Sequence, residues 1–137
     1  MNATPHDPVD HPAHYTHGRV ECITVTSRLD FCVGNTVKYV WRFRDKDNPV
    51  QDLRKAAWYL DYALSHPDVV RRPDGADEQA LKWNLAQHEA DIDGRSLPAR
   101  EAAIEKNFWG AIIMNDLPRA RRILTILIRQ MEADNRA

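Results

Sequence analysis

Three histidines, His11, His14 and His17, stand three residues apart in HPAHYTH, and Cys22 follows five residues later. Imidazole and thiolate suit Zn²⁺, but Pro12 breaks a shared helical face and the spacing matches no standard zinc pattern. Hydrogen bonding in a loop, a phosphate contact, or proton exchange near neutral pH are the competing roles. A second group is better spaced. Asn35, Lys38, Tyr39 and Arg42 recur at i, i+3, i+4 and i+7 and so share one side of a helix. They supply an amide, an ammonium, a phenol and a guanidinium fork, which is the chemistry of phosphate recognition. Lys55 follows one turn before Tyr59, with Asp52 nearly a turn earlier and Trp58 alongside. Should the two helices pack through a short connection, Lys38, Arg42 and Lys55 would hold phosphates while Tyr39, Trp58 and Tyr59 stack on a base. The bland alternative is a solvated helix face with partly buried aromatics, which is the commoner outcome for such a pattern.

The absent motifs narrow the chemistry. The chain has no G-x-x-x-x-G-K-[ST], G-x-S-x-G, paired C-x-x-C or H-E-x-x-H. Any phosphate chemistry must therefore use side chains as its cations.

The elements that must position these groups read as mainly helical. Residues 1–18 carry Pro5, Pro8 and Pro12 among aspartates and histidines and form a His/Pro-rich loop. RVECITVTSRL fits a helix or a strand. Asn35 to Arg44 is a helix with Val33, Val37, Val40 and Trp41 inward, ended by DKDNP. A second helix runs from Pro49 or Val50 to about Ser65, with Leu53, Ala56, Ala57, Leu60 and Leu64 on its buried face. Residues 66–79 are a linker by composition, and a shorter helix covers Ala80 to Ala90. The last forty residues form a helical hairpin. Ser96 caps its first helix, with Ile104, Phe108, Ala111 and Ile112 inward; Asp116 caps the second, with Ala120, Ile123, Leu124, Leu127 and Met131 inward. The expected fold is a compact, mainly α domain with an N-terminal loop and a C-terminal hairpin. It divides into residues 1–65 with the candidate site, the linker 66–79, and a helical extension 80–137.

Bulk composition bounds the rest. Of 137 residues, 43% are hydrophobic and 28% charged, an ordinary globular balance. A net charge of −1 gives no global field for nucleic acid, and RARR (Arg119 to Arg122) is too short to change that. Two cysteines make no disulfide framework, no apolar leader is present, and no apolar run is long enough to cross a bilayer, so a cytoplasmic location is expected.

The runs HPAHYTHGRVECI, GNTVKYVWRFRDK and DLRKAAWYLD occur in order over residues 9 to 64. They resemble a family of small, mostly bacteriophage-encoded proteins held as a domain of unknown function, with the pattern HPxHYxxGxxECIDV, GNxxKYxWRxxxK and DLxKAxWYLD. That family includes a phage nucleotide kinase which acts on deoxynucleoside monophosphates without a P-loop. The resemblance implies that His11, His14, Tyr15, Gly18 and Glu21 belong to the first block, Asn35, Lys38, Tyr39, Trp41 and Arg42 to the second with Lys46 after it, and Asp52, Lys55, Trp58, Tyr59 and Asp61 to the third. It also implies that His11 and His14 are members of a nucleotide site which the Lys38/Arg42 face completes. His17 is outside the pattern, and Thr24 stands where an aspartate is common, removing one potential acid.

Two functions follow as expectations. One is phosphoryl transfer to a deoxynucleoside monophosphate in an infected host's cytoplasm: Lys38, Arg42, Lys46 and Lys55 neutralise charge, His11 or His14 orients or protonates a phosphate oxygen, and Glu21 and Asp52 are the candidates to hold Mg²⁺ or to orient the cations. The other is capture of a nucleotide without turnover. A third reading makes the C-terminal hairpin a docking element for a host partner. No cofactor is required by any motif, and a homo-oligomer is expected because so small a motif region leaves apolar surface to cover.

Overall fold

The computed structural model describes residues 18–45 and 47–136, and these fold as six α-helices with no strand among them. The helices are α1 (Cys22–Thr26), α2 (Phe31–Arg42), α3 (Pro49–Ser65), α4 (Gly75–Asp91), α5 (Ala99–Ile113) and α6 (Leu117–Arg136). The expected mainly α class is thus observed. The ambiguous RVECITVTSRL resolves as helix.

The boundaries follow from capping chemistry. Asp30 starts α2, four residues earlier than the apolar spacing alone indicates, because its Oδ1 accepts the Val33 N–H at 2.8 Å. Its second oxygen accepts the Arg71 backbone N–H at 3.0 Å, fastening the segment after α3 to the same helix end. Asn48 caps α3 by accepting the Gln51 N–H at 3.0 Å, and Pro49 occupies the first turn, where a missing N–H costs nothing. The composition-based linker is shorter than 66–79: Gly75, at φ +57°, opens α4 five residues before Ala80. Ser96 does not cap the next helix. Pro98 stands at that position with no side-chain cap, since its ring fixes φ near the value that entry requires. Asp116 does cap α6, accepting the Arg119 N–H at 3.2 Å. Asn115, at φ 55°, makes the left-handed turn between α5 and α6.

α2 packs on α3, α3 on α6, α6 on α5, α5 on α4, and α1 bridges α2 and α4, enclosing one apolar cluster drawn from the whole described chain. Val33, Val37, Val40 and Trp41 are buried, as the spacing predicts. On α3 the buried face is Leu53, Ala56, Ala57, Leu60 and Ala63; Leu64 shares the stripe of Ala57 and Leu60 but is 36% exposed, in the last turn before Ser65. Thr36 is fully buried between α2 and α3, where its hydroxyl donates to the Cys32 carbonyl at 2.9 Å and lies 3.3 Å from that of Ala56.

Polar ties connect the two halves of the chain. Arg44, just past α2, pairs with the buried Glu105 of α5 and lies 3.6 Å from Glu101. Burial pushes the Glu105 carboxyl above its ordinary range, and Arg44 opposes that shift. Arg72 donates 2.6 Å hydrogen bonds to the carbonyls of Ile112 and Ile113, capping α5 from the segment before α4. Asp91 at the end of α4 accepts from the Arg19 backbone N–H at 3.0 Å and from its guanidinium, which anchors the start of the described chain.

Candidate functional site

The site is built where α2 and α3 lie side by side. Tyr39 sits at its centre, and three cations gather about its ring. Lys38 Nζ is 4.4 Å from the ring centroid, the Arg42 guanidinium carbon 4.8 Å, and Lys55 Nζ 5.5 Å. Two come from neighbouring positions on α2 and one from α3, so the short connection does bring the two faces together.

The aromatic floor is continuous. Tyr59 lies nearly parallel to Tyr39, with centroids 6.1 Å apart and planes at 15°. Trp58 meets Tyr59 edge-on at 5.1 Å, and Phe31 meets it edge-on at 5.7 Å. Asn35 turns its amide back to the Phe31 carbonyl at 2.8 Å. It borders, with Lys38, Phe31, Gly34 and Asp30, a hollow of about 210 Å³.

Asp52 occupies a different layer. It is only 4% exposed and sits 3.4 Å from Arg42 Nη2 through Oδ1, while Oδ2 has no hydrogen-bond partner among the described residues. Its place is beneath the guanidinium, holding it, rather than on the open face. Lys38 and Lys55 have no carboxylate within ion-pair distance among the described residues. Among the described residues, Lys38, Arg42 and Lys55 gather at the ring, Asp52 lies buried beneath Arg42, and Asp30 stands farther along the hollow beside Lys38.

Cys22 borders the same region. Burial pushes its thiol up to about 12, and the charges of Lys38 and Arg42 lower it only in part. The sulfur is thus a protonated core group beside the cations. Glu21 precedes it at the half-exposed N-terminal boundary of α1, where it makes no side-chain cap.

Among the sequence candidates, the structure brings together Lys38, Tyr39, Arg42, Lys55, Trp58 and Tyr59, with Asn35 at the rim and Asp52 below. His11, His14, Tyr15 and Lys46 lie outside the described residues, as does His17. Asp61 is drawn to the other side of α3, where Arg121 Nε pairs with it at 2.7 Å. Phe31 was absent from the candidates although it is 73% exposed at the rim. Its signal was available: Phe31, Asn35, Lys38 and Arg42 recur at i, i+4, i+7 and i+11, one stripe along α2.

Residues 9–61 match the model of a family described as proteins of unknown function, DUF3310. No curated protein and no solved structure matches the chain. The matched stretch ends within α3, so α4, α5 and α6 lie beyond it. No helix among the described residues is long and apolar enough to cross a membrane.

Proposed function

We propose that the α2–α3 face is a nucleotide site, in which Lys38, Arg42 and Lys55 hold phosphate and Tyr39, Tyr59 and Trp58 offer ring surface to the base. The observation that carries this reading is the convergence of three cations on one tyrosine ring, with the buried Asp52 holding one of them. Like charges so placed repel one another, and a bound phosphate relieves that repulsion. Asp52 contributes by fixing Arg42, which keeps the guanidinium fork oriented before ligand arrives.

Phosphoryl transfer to a deoxynucleoside monophosphate is the reaction proposed for such a site, on the strength of the resemblance to phage proteins. Transfer of this kind depends mainly on positioning and charge neutralisation, which these side chains supply without a glycine-rich loop. The test has two arms. Thermal melts with a panel of nucleoside monophosphates should show stabilisation that grows with ligand concentration and is lost in Lys38→Ala. The same panel incubated with labelled triphosphate and Mg²⁺ should yield labelled diphosphate. Stabilisation without product would leave a binding protein and remove the kinase. Absence of both would remove the nucleotide site.

A further inference from the structure

The ring contacts do not stop at the cation cluster. From Trp58 they continue along α3 to Tyr62, whose ring lies 6.0 Å away at 24°, and on to His66, stacked on Tyr62 at 4.0 Å and 12°. Trp58 is 61% exposed and Tyr62 40% exposed, with one face of Tyr62 covered by His66. From Lys55 to Tyr62 the helix rises roughly 10 Å, whereas one nucleotide takes up about 3.4 Å of a stacked strand. A mononucleotide held at Lys38, Arg42 and Lys55 would not reach Tyr62 or the ring of His66, which ends α3.

We propose that this face takes a short single-stranded oligonucleotide, with its phosphate end at Lys38, Arg42 and Lys55 and its following bases stacked on Trp58 and against the outer side of the Tyr62–His66 pair. The inference rests on the nucleotide reading above and extends it to a ligand of two or three bases. Charge supports the choice of occupant: Lys38 and Lys55 lack carboxylate partners among the described residues, so the surface is complementary to an anion rather than to a neutral apolar chain. The overall net charge of −1 argues against a long duplex but leaves a short strand free to use this local patch. Aromatic platforms of this kind tolerate any base, because every base has a π-face.

The experiment follows tryptophan fluorescence of a Trp83→Phe chain, in which Trp58 is the exposed indole, during titration with 5′-phosphorylated thymidine monomer, dimer and trimer, and with an abasic trimer of equal charge. The expected result is an affinity rising at least about fivefold for each base added, with the abasic trimer falling well behind the true trimer. Tyr62→Ala should flatten this rise while leaving monomer affinity unchanged, and Tyr62→Trp should restore it. Affinity independent of length overturns the inference and leaves the mononucleotide site standing. An abasic trimer as good as the true one, or a length dependence untouched by Tyr62→Ala, overturns it as well. A concentration-dependent dimer in sedimentation, abolished by Tyr62→Ala, would assign the face to a second copy and also overturn it. If no nucleotide of any length binds, this inference and the reading beneath it fall together.

Discussion

The imidazole of His88 lies flat against the indole of Trp41, with ring centroids 3.4 Å apart and planes 9° apart. Both are buried, and Trp109 closes the stack edge-on to each, at 5.6 Å from Trp41 and 4.7 Å from His88. Trp41 immediately precedes Arg42 of the candidate site, whereas His88 and Trp109 come from α4 and α5. The face that carries the cations is therefore held from behind by helices outside the family match.

Truncation after Ser65 should consequently abolish cooperative folding. It would uncover Trp41, Leu60 and Phe43 together, and the remaining helices bury too little to offset chain entropy. Within the full chain, Trp41→Ala should cost about 3–5 kcal/mol and His88→Ala about 2–3 kcal/mol. Urea melts followed by circular dichroism check both. A truncated chain with a sharp, native-like transition would contradict the shared core.

Lys38 and Arg42 should separate by phenotype. Lys38→Ala removes a cation that contacts the Tyr39 ring but has no carboxylate partner among the described residues, so nucleotide affinity should fall roughly ten- to hundredfold with little change in melting temperature. Arg42→Ala should weaken binding similarly and also cost about 2 kcal/mol of stability, because Asp52 is left buried without its counter-charge. Asp52→Asn should retain the fold yet reduce affinity, since Arg42 loses its anchor. Calorimetric titration alongside thermal melts distinguishes the three.

Asp91 sets an acid-side dependence. Burial alone would raise its carboxyl, but the backbone and side-chain hydrogen bonds from Arg19 and its charge outweigh that and hold it below the ordinary 3.8. A depressed folded value means the contribution is present above the unfolded pKa and is lost as pH falls through the folded one. Wild type should therefore melt above Asp91→Asn at pH 7, and the gap should close in acid below about pH 4. A gap that stays constant down to pH 2 would show that the Arg19 contact contributes no charge-dependent stability.

Cys22 should be chemically silent in the folded protein. With its thiol at about 12, roughly one molecule in ten thousand carries thiolate at pH 8. Cys32 is also buried, and burial raises its thiol too. Iodoacetamide should label neither until denaturant is added. Rapid native labelling of Cys22 would show that the wall behind Lys38 and Arg42 opens readily.

The sequence alone determined the mainly helical class, the apolar face of α2 and most of that of α3. Apolar residues at helical spacing can be buried in only one register, and Asn48-Pro49 and Asp116 stop and start helices through local hydrogen bonds. The same periodicity set Asn35, Lys38, Tyr39 and Arg42 on one side before any packing was known. Tertiary structure decided the rest, because it depends on groups distant in the chain. Only the pairing of α2 with α3 brings Lys55 to the Tyr39 ring, sinks Asp52 beneath Arg42 and turns Asp61 away toward Arg121. Spacing put Leu64 on the buried stripe with Ala57 and Leu60, but how far the neighbouring helices cover the last turn of α3 is a tertiary matter, and there Leu64 stays 36% exposed while Ala63 is buried. Nor could it pair Trp41 with His88, forty-seven positions later, because no local hydrogen bond or period links residues so far apart.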